Sequence, residues 1–428
     1  PPDKPRRPWA RRAVLAGLLL LVLGIPAGVA GWYLHAESHL RAAEQALERR
    51  DYAAAGEHLS RYLEVRPSSA RAHFLAARVA RIGRRYDEAE EHLRVCARRG
   101  WDEQALEVER RLRDLQEGDA SAEPFLRRRA EAGGPDTLSV LEALTQFYLD
   151  TYQLTRALDC LKRYLAERPD DLRALLGRAY VWERFQYYGD AADDYRRAVA
   201  AHPDSAEARL RLADTLLLAG TPQEALPHYE WLESHGPARS EVRLGAARCR
   251  RRLGQAEEAR RSLDAQLAER PNDPAVLSER GQLALDEGRA DDAEAWLRKA
   301  VQIAPHDRKA NYSLAQCLRV LNRPDEARPF DERVKRIDAD LNRIGQLSKA
   351  VIQAPNDPAL RVEAAALFLR NGEEREGVRW LQLALRLDPA HRAAHAALAD
   401  YYGRSGQAAL AARHRRLAGG TAERRPGS

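Results

Sequence analysis

The stretch AEARLRLADTLLLAGTPQEALPHYEWLESHGPAR, residues 206–239, decides the fold through three positions: Ala213, Ala225 and Pro237. Counted as a unit of 34 residues, it has small residues at places 8 and 20 and a proline at place 32. Around them Leu212, Leu216, Leu226 and Tyr229 stand at helical spacing, so two helices face one another across the small residues. Steps of 34 from Ala36 find the same pattern along nearly the whole chain. Place 20 holds Ala55, Ala89, Ala157, Ala191, Ala259, Ala293 and Ala327, and, after 16 extra residues, Gly377 and Ala411. Place 8 holds Ala43, Ala77, Ala179, Ala247, Gly281, Ala315, Ala365 and Ala399, with Thr145 as the exception. Small residues at both places let the helices cross closely, and a period of roughly 20 to 50 residues marks a solenoid.

Proline closes most units, at Pro67, Pro169, Pro203, Pro237, Pro271, Pro305 and Pro389, where a helix cannot continue. Asp or Asn follows in Pro169-Asp170-Asp171 and Pro271-Asn272-Asp273-Pro274, so each unit starts and stops by its own chemistry. The pattern resembles the tetratricopeptide repeat family, in which small residues recur at places 8 and 20, an aromatic often stands at place 17 and proline ends the unit. Tyr52, Tyr86 and Tyr188 hold place 17, while Leu154, Pro222, Ala256, Ala290 and Pro324 do so elsewhere and the family's Trp at place 4 is absent. The resemblance covers about nine tenths of the chain. It implies an all-α, right-handed superhelical solenoid of about 11 helix-turn-helix repeats over residues 35–418. Many unrelated binders share that fold, so function has to come from the face it presents.

Two departures from the period carry information. Tyr86 to Leu154 is 68 residues, two periods, which places a worn repeat near 104–137, its second helix cut short by Gly133-Gly134-Pro135. Pro324 to Glu374 is 50 residues, one period plus 16. Val334, Ile337, Leu341, Ile344, Leu347 and Val351 run through the surplus without a break and predict one lengthened helix near 326–353.

Ahead of the repeats, residues 13–34 form an uncharged run of 22, enough to cross about 30 Å of hydrocarbon as a helix. Trp9 stands near one edge, and Trp32 and Tyr33 at the other, where amphipathic rings prefer to sit. Lys4, Arg6, Arg7, Arg11 and Arg12 precede the run against one acid, Asp3. The expectation is a basic cytoplasmic tail over 1–12, a transmembrane anchor over 13–34 in the inner membrane, repeats on the extracytoplasmic side, and a disordered tail over 419–428. A cleaved signal peptide is the rival reading, with small residues from Gly24 to Gly31 and a possible site after Ala30. Against it, Trp32-Tyr33-Leu34 leads into the first repeat with no spacer.

The formal charge is +6, of which the first 34 residues supply +4 through five bases and one acid, leaving +2 on the rest. The overall basicity is therefore no argument for a nucleic-acid partner. Cys96, Cys160, Cys249 and Cys317 fall in four different repeats without a CxxC pair and read as small buried hydrophobes. His35 with His39, and His391 with His395, read as i, i+4 pairs on a helix surface, without the further ligands a metal site needs. No phosphate loop, nucleophile elbow or paired-acid motif stands out, and the reading is of a protein without enzymatic activity, cofactor or small-molecule substrate.

What remains is the concave face. The resemblance implies that the first helix of each repeat lines a groove, mainly through places 5, 9, 12 and 13. Here these include Phe74, Arg78, Arg81, Tyr180, Arg184, Arg248, Arg251, Arg252, Tyr312 and Arg319, interspersed with Glu44, Glu142, Asp214 and Asp286. Arg248, Arg251 and Arg252 form the densest cluster, and guanidinium forks suit the carboxylates of an acidic peptide. Replacing all three by Ser is expected to lower affinity with little loss of stability, as exposed charges do. The lysine and asparagine clamp by which some relatives hold chaperone tails is not recognisable. The function expected is a membrane-tethered scaffold that binds protein or peptide partners along its groove. The alternatives are a cytoplasm-facing adaptor or receptor on a membrane and, more remotely, the regulatory subunit of an enzyme.

Overall fold

The computed structural model describes residues 34–237 and 239–419. The expected basic tail, the anchor up to residue 33 and the tail from residue 420 lie outside the described residues. Among the described residues there are 22 α-helices and no strand, and no helix is long and apolar enough to cross a membrane.

The chain divides into two compact units, one up to Ala143 and one from Leu144. The first contains α1 (34–48), α2 (Tyr52–Val65), α3 (Ala70–Ile82), α4 (Tyr86–Arg98), α5 (Glu103–Glu117) and α6 (Glu123–Ala132). The boundary falls within α7 (Thr137–Asp150). The second continues through α8 (Leu154–Glu167), α9 (Leu172–Arg184), α10 (Tyr188–Ala201), α11 (Ala206–Leu218), α12 (Pro222–His235), α13 (Ser240–Arg252), α14 (Ala256–Glu269), α15 (Pro274–Asp286) and α16 (Ala290–Ile303). It ends with α17 (Arg308–Val320), α18 (Pro324–Gln353), α19 (Pro358–Arg370), α20 (Glu374–Leu387), α21 (Arg392–Arg404) and α22 (Ala408–Ala418). The helices form eleven antiparallel pairs, each a repeat of the sequence period.

Local chemistry sets each pair. The first helix usually opens on a side-chain cap: Ser69, Asp102, Asp171, Ser205, Asp273, Asp307 and Asp357 each accept a backbone N–H from the first turn. It ends on a residue at place 15 with positive φ in all eleven pairs. Six of these are glycines, from Gly118 at 103° to Gly406 at 75°, and five are not: Arg50, Arg84, Tyr152, Gln186 and Asn322. The next N–H, at place 16, donates back to the carbonyl of place 11 at 2.7–3.0 Å in every pair, as between Gln255 and Arg250. The left-handed turn reverses the chain, and the small residues then meet. Ala213, Ala225, Ala247, Ala259, Ala293 and Ala315 are all fully buried. A Cβ on Gly281 would stand 2.6 Å from Leu297 Cγ, so this crossing tolerates nothing larger than glycine without a shift.

The two irregular stretches have local causes. In α6 the helix is only 10 residues long and stops at Gly133, φ 77°, followed by Gly134, φ 132°. α18 is 30 residues long, starting with Pro324 in its first turn and passing through Pro329. Val334, Ile337, Ile344, Leu347 and Val351 are buried, whereas Leu341 is 47% exposed. Asp340, buried midway along α18, accepts from Arg370 Nε at 2.8 Å and Asn371 Nδ2 at 3.0 Å at the end of α19. These bonds lay α19 against the second half of the long helix.

Of the two expected histidine pairs, His35 and His39 do meet on the face of α1, with ring centroids 4.9 Å apart, whereas the second pair does not form. His391 is the N-cap of α21, not a partner of His395 on a helix face. His395 is buried and meets His414 Nδ1 to Nδ1 at 2.9 Å, 19 residues on. His73 with His92, at 2.8 Å, and His39 with His58, at 3.0 Å, repeat this pairing between the two helices of a repeat. His73 and His395 donate through Nε2 to Pro67 and Pro389 carbonyls, both at 3.0 Å, which leaves Nδ1 to accept from the partner ring. In these two repeats the pair is tied to the opening turn. All four cysteines are buried thiols with no disulfide, and burial pushes Cys249 up to about 12.

Candidate functional site

The first helices of unit 2 line a cleft of about 820 Å³. Tyr180 and Arg184 from α9, Arg211, Asp214 and Leu218 from α11, Arg248, Arg251 and Arg252 from α13, and Lys309 from α17 all reach it. Five of the ten residues picked from the sequence thus come together: Tyr180, Arg184, Arg248, Arg251 and Arg252.

The arginine cluster, however, is already engaged from within. Glu279 of α15 is fully buried beneath it and accepts from Arg251 Nε at 2.6 Å and Arg248 Nε at 3.1 Å, while Lys309 bonds the same carboxylate. Arg251 also reaches Asp286, at 2.6 Å. Burial alone would raise the Glu279 pKa; Lys309, Arg251 and Arg248 outweigh it and hold the carboxyl at about 2. Replacing Arg248, Arg251 and Arg252 together by Ser therefore strips two cations from a buried carboxylate. The expectation that this leaves stability nearly unchanged is overturned.

Of the cations that line the cleft, Arg184, Arg211 and Arg252 have no carboxylate within salt-bridge reach among the described residues. Arg184 donates to the Tyr152 hydroxyl at 3.0 and 3.1 Å, and Arg252 to the Leu217 carbonyl at 2.8 Å. Arg211 is exposed on α11, and beside it on the same helix Leu218 is an apolar side chain left 66% exposed. Asp214 is turned aside by the Tyr229 hydroxyl, which donates to it at 2.5 Å. The cleft therefore offers guanidinium donors around an uncovered apolar foothold. Arg211 and Lys309 were missed by the sequence reading because they stand at places 6 and 2, outside the four places taken from the resemblance.

The other five residues lie elsewhere. Phe74 is 8% exposed, packed at 5.3 Å on Trp101 in the core of unit 1, and so cannot line an open groove. Arg78 and Arg81 donate through Nε, each at 2.7 Å, to the buried Glu109 of α5. Glu109 follows these arginines by 31 and 28 residues, the spacing at which Glu279 follows Arg248 and Arg251. One buried-carboxylate brace is thus built twice. Burial raises the Glu109 carboxyl, and Arg81 and Arg78 bring it below the usual range. Tyr312 on α17 is 50% exposed outside the cleft lining, and Arg319 is paired with Asp331 of α18.

Models of the tetratricopeptide repeat match residues 216–283 and 284–350 in one form and 40–104 and 186–238 in another, together more than half of the chain. The chain belongs to the tetratricopeptide repeat family. Tetratricopeptide repeat proteins act in general as scaffolds for protein–protein interaction. No curated protein matches the chain. Among solved structures, it is similar to a tetratricopeptide repeat protein from Parabacteroides merdae, 16% identical with a TM-score of 0.44 over 65% of this chain and 97% of that one. YrrB, a TPR protein with an unusual peptide-binding site, is 19% identical with a TM-score of 0.37, over 46% and 98%. A monomeric IFIT1 mutant with Gppp-AAAA is 16% identical with a TM-score of 0.37, over 83% and 91%. These likenesses are likenesses of fold alone.

Proposed function

We propose that this tetratricopeptide repeat protein is a non-enzymatic scaffold that holds an acidic segment of a protein partner in the cleft of unit 2. The observation that carries the reading is the grouping of Arg184, Arg211 and Arg252, none of them held in a salt bridge, with the exposed Leu218 in a lining that also includes Glu183, Asp214 and Glu241. Guanidinium donors recognise carboxylates as planar forks, and an apolar anchor beside them adds contact area. A photo-crosslinking amino acid at position 218 is expected to trap the partner, while the same group at Leu417 of α22, 46% exposed, traps none. Equal trapping at both positions would remove the cleft from the binding surface.

The uncharged run 13–34 and the bases before it support tethering in the inner membrane with the repeats extracytoplasmic. Reporter fusions after Gly420 read the side, and a reporter active in the cytoplasm would reverse this orientation.

A further inference from the structure

Residues 210 apart in sequence meet within unit 2. In the turn from α7 to α8, the Thr151 carbonyl accepts from Arg361 Nη2 of α19 at 3.0 Å, and the Tyr152 ring lies 4.7 Å from Trp380 of α20. Tyr152, Arg361 and Trp380 are each no more than 2% exposed. The contact also touches the cleft. The hydroxyl of Tyr152 takes both hydrogen bonds of Arg184, and Arg379, next to Trp380, faces Tyr180.

Tyr152 has φ 59°, the left-handed conformation that place 15 takes in every repeat and that six repeats assign to glycine. The closure is held against a cost. Arg361 is a buried cation whose hydrogen bonds go to two carbonyls, of Asp357 and Thr151, and its Nε has no partner. The reach comes from α18. Its extra length, with Asp340 fastening Arg370 and Asn371, is what brings α19 and α20 back toward the start of the unit.

We propose that α19 and α20 form a self-docked gate at one end of the cleft, so that a partner taking Tyr180 and Arg184 competes with Tyr152 and Arg379 for them. Opening and binding are then linked, each favouring the other. The proposal rests on the cleft being the binding site.

Tyr152→Gly tests it in the full chain, because glycine suits the turn while removing both the ring on Trp380 and the hydroxyl on Arg184. The control is Gln186→Gly, the same change at the same place one repeat on, φ 63°. Two readouts are taken: backbone hydrogen exchange in residues 374–387, and affinity for a hexaglutamate peptide. Tyr152→Gly is expected to exchange faster in α20 and to bind the peptide about fivefold tighter, the low end of coupling between linked sites. Gln186→Gly should match the parent in both. Unchanged exchange in α20 would overturn the gate, and faster exchange with unchanged affinity would overturn its coupling to the cleft. Failure of both parent and variant to bind the peptide would overturn the acidic-segment reading and the coupling with it, while the exchange arm still decides the closure.

Discussion

Glu279→Gln is expected to lower the stability of unit 2 by about 3–5 kcal/mol, the usual cost of removing one partner from a buried charge network. Arg248, Arg251 and Lys309 converge on this fully buried carboxylate, and the amide would take its charge from all three, leaving only Arg251 with another carboxylate, Asp286. The sign of the pH effect follows from the same site. The folded carboxyl, at about 2, lies below its ordinary 4.5. Its contribution is therefore complete above that ordinary value and is lost as pH falls from there toward the folded one. The linkage is worth about 3 kcal/mol for a shift of this size. Denaturant titrations at pH 6 and pH 3 should show a larger loss in the parent than in Glu279→Gln, which keeps the other depressed carboxyls, such as Glu109, but not this one. The control is Arg328→Ala, which breaks a pair with Asp325 in which both side chains are more than three quarters exposed. A surface pair of that kind contributes at most about 1 kcal/mol. Equal effects from the two substitutions would mean that Glu279 is not the buried brace described.

Ala225→Leu is expected to cost about 1–3 kcal/mol by overpacking a helix crossing. Ala225 of α12 is fully buried, and at the corresponding crossing of α15 with α16 a Cβ on Gly281 would already meet Leu297. Gln255→Leu, in the exposed turn beside Gly254, should change the melting temperature little. Equal shifts at Ala225 and Gln255 would contradict the register of the repeats.

The helix pairs were legible because each rests on short-range chemistry: small residues at Ala213 and Ala225, a stop at Pro237 and a capping residue such as Asp273. The left-handed place 15 was only partly written, since Arg50, Arg84, Tyr152, Gln186 and Asn322 adopt the conformation that glycine would advertise. The charge network was harder to see. Arg248 and Arg251 look like a solvated cluster until α15 brings Glu279 underneath them, and a periodicity count of charges, with Glu109 behind Arg78 and Arg81, was the available signal. Phe74 was misplaced for a related reason, because place 5 faces the groove only where no neighbour such as Trp101 covers it. The contact of Tyr152 with Trp380 depends on how six repeats accumulate, which no local spacing encodes.

The measurement that bears most directly on the cleft is a titration of the crosslinked partner's own segment against three full-length proteins. These are the parent, the double variant Arg211→Ser with Arg252→Ser, and Arg260→Ser with Arg261→Ser on α14. All four arginines lack a buried carboxylate partner, Arg260 and Arg261 pairing only with the exposed Glu257 and Glu258, so the folds should survive. The account predicts a weaker affinity for the Arg211 and Arg252 variant alone, with a shallower dependence on salt. Indistinguishable affinities for the three proteins would contradict it.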